Sequence, residues 1–488
     1  VKSVIVAAAA SGLLLCATAA HAQADRSFEA EATRVIQAVR TKGCDVAALK
    51  RLVGRRGFEQ LTSAQQSTAL TTLAMCDIDN GVEWSRKATA FPDASSLAWA
   101  TRFVYAAAAA RDRADALQSI ERAASLADDG TFALLIDDVA VVFGFELADH
   151  PAEFQRYMAA LMTAGWNSEQ YGAADDLWIL YSERLAAGGD ASRAWGAAKR
   201  VVGATSLTKL SLDKRFDDFV AMDRKRYDVA TATAASLQAH QAAFGSEPSA
   251  ENLLALSTDL RALGRLDEAL ALISGWLARP NSTEDAEYNW VGNDKAMTLY
   301  ALGRTDEAVT TMRVFAARPE RGKPNVIQSV NLALLLNAAG RPQEALDALK
   351  PFGSAEGELS SYASIWVRAE RACAYAQLGE AASLREQLAY TVAHEADDPT
   401  AAVKAQLCAG DTAAAVAIYA RRLKDPDQRR AALFELSRFK PDQRAAFDLK
   451  LAARLDQVRA DPALKAAVAA VGRTSELPLH GAALTEFY

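Results

Sequence analysis

Downstream of residue 22 the chain carries His150, His240, His394 and His480, widely separated, and neither an H-E-x-x-H nor a C-x-x-C spacing. A protein metal site needs nitrogen, sulfur or carboxylate donors at fixed offsets. The nearest thing to a cluster is His394-Glu395 beside Asp397 and Asp398, which reads as a solvated turn after the helix holding Leu388. For nucleophilic catalysis, Ser206-Leu207-Thr208-Lys209 fits the loose S-x-x-K spacing. The S-D-N and K-T-G elements that complete such a site are missing. No glycine-rich run follows a strand pattern and no G-x-x-x-x-G-K-[ST] occurs, so no phosphate cradle is expected. These residues predict no metal, no cofactor and no catalysis.

Four cysteines lie beyond the first residues: Cys44, Cys76, Cys373 and Cys408. Their chemistry depends on compartment. Lys2, the apolar run Val4 to Ala20 and the phrase Ala20-His21-Ala22 form a secretory signal with an A-x-A cleavage site, which predicts a periplasmic or secreted protein. Cys16 follows Leu13, Leu14 and Leu15, where lipid attachment needs a small residue directly before the cysteine. Val1 in place of Met suggests a non-AUG start and a bacterial source. In an oxidising compartment the cysteines could pair as Cys44 with Cys76 and Cys373 with Cys408, or stay as buried thiols; four cysteines allow three connectivities. After the signal no apolar stretch is long enough to span a bilayer of about 30 Å. The formal charge of −7 is spread as mixed signs without long runs, a poor match for nucleic acid, whose phosphates need clustered cations.

Self-similarity dominates the second half. Arg261 to Leu272 reads RALGRLDEALAL, Tyr300 to Thr311 YALGRTDEAVTT, and Asn337 to Ala348 NAAGRPQEALDA. Each has a glycine (Gly264, Gly303, Gly340) and, five residues on, an alanine (Ala269, Ala308, Ala345). The glycines are 39 and 37 residues apart, near a repeat of about 34. A helix ending at a left-handed glycine, an acidic start to the next helix and an early alanine that allows close approach describe one helical hairpin. Leu253, Leu256, Leu260 and Leu263 form one apolar stripe and Ala269, Leu270, Leu272 and Ile273 the facing one. Weaker copies centre on Gly379 and Gly410, and in the first half on Gly43, Asp77, Arg111, Asp149 and Gly189.

The run Trp178, Tyr181, Ser182, Leu185 before Gly189 resembles the first helix of the tetratricopeptide family, and the hairpins from Asn252 to Leu349 carry that resemblance most clearly. It implies an all-α fold, a right-handed α-α superhelix of stacked helical hairpins. The expected organisation is a signal at 1–22, a first repeat solenoid at 23–204, an irregular connecting segment at 205–245 where the stack bends, further repeats at 246–425, and a helical cap and tail at 426–488. Within the connector, Asp213-Lys214-Arg215-Phe216-Asp217 is echoed by Asp223-Arg224-Lys225-Arg226-Tyr227-Asp228. There Phe216, Phe219 and Tyr227 are expected to cap a stack while the charges stay wet.

In such a stack the first helix of each pair lines the inner face. Projection places Trp290, Asn293, Met297 and Tyr300 there on one helix, Val330, Leu334 and Asn337 on the next, and Trp366, Ala369 and Cys373 on a third; Trp290 and Trp366 are equivalent positions 76 residues apart. An apolar groove with aromatic anchors suits an extended peptide or a partner helix, although each of these side chains could equally pack between repeats. The expected function is a non-catalytic protein-protein interaction scaffold or adaptor of the cell envelope. Two other readings are a periplasmic accessory of polysaccharide synthesis or export, and a superhelical enzyme of the lytic transglycosylase type. The latter needs a catalytic domain with a glutamate acid after the helices, and no such motif follows Gly410.

Overall fold

The computed structural model describes residues 26–127, 131–168, 170–280, 287–319, 322–353, 359–443, 445–481 and 484, so the signal expected at 1–22 lies outside the described residues. The chain is all-α, a tetratricopeptide-like succession of helical hairpins, and it divides into two units, Val1–Val202 and Gly203–Tyr488. Among the described residues no helix is long and apolar enough to cross a membrane.

The first unit alternates inner and outer helices: α1 Arg26–Lys42 with α2 Val46–Val53, α3 Ser63–Cys76 with α4 Gly81–Ala88, α5 Ser96–Tyr105 with α6 Arg113–Ser125, α7 Thr131–Glu146 with α8 Pro151–Thr163, and α9 Asp175–Ala187 with α10 Ala191–Ala198. Each first helix touches its own partner and the first helix of the next pair. Neither helix of a pair could hide its apolar side alone. The Arg111 turn, which lacks the usual glycine, still enters the left-handed region with φ 51°. Cys44 and Cys76 are joined, with Cα atoms 5.4 Å apart, and so tie the ends of α1 and α3 together.

In the second unit the pairs are α14 Ala250–Ala262 with α15 Leu266–Leu277, α16 Tyr288–Ala301 with α17 Thr305–Ala316, α18 Val326–Ala338 with α19 Pro342–Ala348, α20 Ser361–Leu378 with α21 Ala381–Ala393, and α22 Pro399–Ala409 with α23 Thr412–Lys424. The three strong repeats turn identically. Gly264, Gly303 and Gly340 take φ of 74°, 75° and 69°, and the following arginine N–H reaches back to Leu260, Leu299 and Leu336. Ala269, Ala308 and Ala345 are fully buried where the two helices meet. Cys373 and Cys408 are joined, with Cα atoms 4.8 Å apart, linking α20 to α22.

Two segments depart from plain repeats. The segment 205–245 is largely helical: α11 Ala204–Leu212, the single turn Lys214–Phe216, α12 Asp217–Met222 and α13 Val229–Ser246. Phe216, Phe219 and Tyr227 are buried as expected, but Asp213 is fully buried too, held by Arg215 at 2.7 Å, so these charges are not all wet. They latch the start of the unit to its end. Arg215 also donates to the Pro426 carbonyl, Lys214 to Ala469 and Arg473 to Asp217.

The second such segment is 426–488. Helix α24 Pro426–Leu436 does continue the stack, packing on α23, and also meets α11. Beyond it the chain is not a purely helical cap. Strand β1 Arg438–Lys440 pairs in parallel with β2 Glu476–His480, and between them run α25 Ala446–Ala460 and α26 Pro462–Val471. This tail doubles back along the turn edge of inner helices and donates to carbonyls at their C-terminal ends. Arg454 donates to the Leu407 and Cys408 carbonyls at the end of α22, Arg459 to Leu436 and Ser437 at the end of α24, and Arg473 to Ser211 at the end of α11. One apolar cluster therefore runs from Leu212 through the repeats to Leu479.

Candidate functional site

The inner helices of the second unit converge on a cavity of about 470 Å³. Its walls come from α11, α14, α16, α18, α20, α22 and α24, and its remaining side from the tail residues Phe447, Asp448, Leu451 and Leu484. The outer helices contribute nothing to the lining. Volume and mixed lining fall in the range of ligand clefts, about 300–1,000 Å³.

Of the residues projected to the inner face, Trp290, Asn293, Met297, Tyr300, Leu334, Asn337, Trp366 and Cys373 line this cavity together. Val330 and Ala369 do not; both are buried between repeats. Trp290 and Trp366 hold equivalent positions in different surroundings. Trp290 is 44% exposed at the rim, as is Tyr362 at 48%, whereas Trp366 is only 5% exposed. The Trp366 indole donates to Asp398 at 3.1 Å, and the Lys404 ammonium lies over its ring.

Below the aromatic rim the cavity is polar and internally compensated. Glu370 is fully buried, paired with Lys404 at 2.5 Å and accepting from the Asn337 amide at 2.9 Å, so one network crosses α18, α20 and α22. Arg261 pairs with Asp294, which also accepts from Ser257. Burial raises the Asp294 pKa against the opposing pull of Arg261. Glu435 takes both terminal nitrogens of Arg422 at 2.7 Å and accepts from Thr400 and Tyr419. Burial works to lower the Arg422 pKa, and the Glu435 carboxylate outweighs it, so the guanidinium stays charged. Such pairs cost little once closed but leave a buried charge when one member is removed. The side chains of Asn293 and Asn331 bond each other at 2.7 Å, presenting amides between the rings.

The other residues with chemical potential have been put to structural use. Ser206 and Lys209 share α11, with the Lys209 ammonium 5.5 Å from the Phe434 ring centre. His394 is exposed, stacked on Tyr390 and 3.1 Å from Asp397, while Glu395 pairs with Arg421 and Asp398 caps α22. His240 and Ser236 both bond Asp259, 2.7 Å from the imidazole; the carboxylate sits between them, so serine and histidine are not arranged for proton transfer to one another. Among the described residues no three His, Cys, Asp or Glu side chains converge as a metal site. Sequence reasoning missed Tyr362, Lys404, Glu370 and the tail wall. Lys404 had a signal: it precedes Gly410 by six residues, as Met297 precedes Gly303 and Leu334 precedes Gly340.

No family model and no curated protein matches the chain. The solved structure of Naa15/Naa10 bound to HypK-THB aligns with 92% of this chain and 88% of its own chain, at 13% identity and a TM-score of 0.21.

Proposed function

We propose that this protein is a non-catalytic binding scaffold, exported to the bacterial cell envelope, that captures a segment of a partner protein in the cavity of its second unit. One observation carries the reading: side chains from six successive inner helices and the tail face a single cavity whose rim exposes two large aromatic faces, Trp290 and Tyr362. Rim aromatics bury much area at small entropic cost, and the amides beneath can pair with a main chain. The charged groups below are bonded to one another rather than poised to act on a substrate. Within the stretch after Gly410, Phe447, Asp448 and Leu451 belong to the cavity wall, which supports a binding role for the tail.

Replacing Trp290 and Tyr362 with alanine should lower partner capture at least tenfold, about 1.4 kcal/mol, with the melting temperature unchanged; undiminished capture would remove the assignment. Trp366 is the poorer probe. Its truncation strips Asp398 and Lys404 of a buried neighbour and would destabilise the fold. A second reading, an accessory of polysaccharide synthesis or export, is favoured by the same exposed rings flanking the Asn293–Asn331 amides, a surface on which a sugar ring could stack. A glycan array bound by the wild type and not by the double variant would select it.

A further inference from the structure

We infer that Phe447 is a gate between two cavities of the second unit, and that with the gate drawn aside the unit holds an extended polypeptide threaded from the Trp290 rim to the Gly340 turn. The inference rests on the binding reading above and names the form of the partner. Phe447 lines the aromatic cavity on one side and, on the other, a second cavity of about 710 Å³ at the turn edge, bounded by Gly340, Gln377, Ala409 and Arg454. Protein interiors are packed to near-crystalline density. Phe447 packs on the edge of the apolar cluster while bordering open space on both sides, so its displacement joins the two.

The helix that carries Phe447 is fastened unevenly. Its second half is anchored by buried Leu455 and Val458 and by Arg459 on the end of α24. Its first half meets the stack through Tyr300 and Asp448, Leu451 and the Arg454 caps. The N-cap residue is Ala445, which makes no side-chain cap bond. An alanine there leaves the first turn less stable by about 1 kcal/mol than a serine or aspartate would. Release of that one turn moves Phe447 while leaving the anchored half in place, a local opening of the low-energy kind.

With Phe447 aside the two cavities become one passage, with the Asn293 and Asn331 amides at one end and Gln377, whose amide N–H already donates to Asn337, at the other. Side-chain amides offer both a donor and an acceptor, as an extended main chain does. A partner helix satisfies its main chain internally and has no use for such groups. The position a docked helix would take is already filled by α25.

The test uses the full chain and immobilised random-sequence synthetic peptides of four and of twelve residues. Phe447→Trp, which plugs the passage, should lower the ratio of twelve-residue to four-residue peptide binding about tenfold. Phe447→Ala, which widens it, should raise that ratio. An unchanged ratio of long to short binding in either folded variant would overturn the gate. The control is Trp290→Ala, expected to weaken both lengths; if it weakens neither, the cavity is not the binding site, and that failure is distinct from one at Phe447.

Discussion

Tyr300 donates its hydroxyl to the carboxylate of Asp448, a contact that spans 148 residues of chain and joins an inner repeat helix to the returning tail. It shows the tail to be part of the cavity and not an appendage beyond the last repeat. Tyr300→Phe withdraws a donor from a half-buried carboxylate, at a cost of about 1–3 kcal/mol. Amide exchange should quicken over residues 446–454 and stay unchanged over 288–301; a uniform change across the unit would argue against a separable first turn.

Three turn glycines share a conformation but not a neighbourhood. A methyl group at Gly264 would meet His480, one at Gly303 would meet Gln443, and one at Gly340 would meet nothing. Gly340→Ala should therefore cost only the left-handed penalty, about 1–2 kcal/mol. Gly264→Ala should cost more, because the His480 ring, held by Asp442, must move as well. Urea unfolding of the two variants compares them directly, and equal losses would mean the tail does not sit on that turn in solution.

The Cys373–Cys408 link closes a separation of 35 residues beside the cavity. Chain-entropy reasoning values such a cross-link at about 3–4 kcal/mol. The double replacement by serine should lower stability by that order, and thiol titration of the denatured, unreduced protein should find no reactive group from Cys44, Cys76, Cys373 or Cys408.

Glu344 joins consecutive repeats, bonded to Arg341 of its own turn and Arg313 of the preceding pair. The Arg341 contact, aided by Arg313, lowers its pKa to about 2 from an ordinary 4.5. A depressed carboxylate favours the folded state above its unfolded value, and that contribution fades as pH falls towards the folded value. The difference in melting temperature between wild type and Glu344→Gln should shrink between pH 4.5 and 2 and stay flat above pH 5. The group is exposed, so the difference will be small, and salt should reduce it further.

Much of this arrangement was legible because helical hairpins write their geometry locally. The glycine-to-alanine phrase marks each turn, and counting back from the glycine names the inner face: thirteen residues reaches Trp290, Ile327 and Trp366, and six reaches Met297, Leu334, Cys373 and, one repeat on, Lys404. What such counting cannot separate is a rim position from a buried one. Trp290 and Trp366 differ because Asp398 and Lys404, on a later helix, enclose only the second. The tail was illegible for a related reason. Phe447 and Asp448 lie in an ordinary amphipathic helix, and their role depends on contacts with residues more than a hundred positions away. The segment 205–245 likewise looked irregular because its charges, Lys214, Arg215 and Asp217 above all, find partners near the far end of the unit.

The most direct test of the central claim is site-specific photocrosslinking in the producing cells, with benzoylphenylalanine placed either at Tyr362 on the cavity rim or at Val392, which is exposed and outside the lining. The account predicts a discrete crosslinked partner protein from position 362, lost when Trp290 is replaced by alanine, and none from position 392. Equal crosslinking from both positions, or crosslinks at 362 that are indifferent to Trp290, would contradict it.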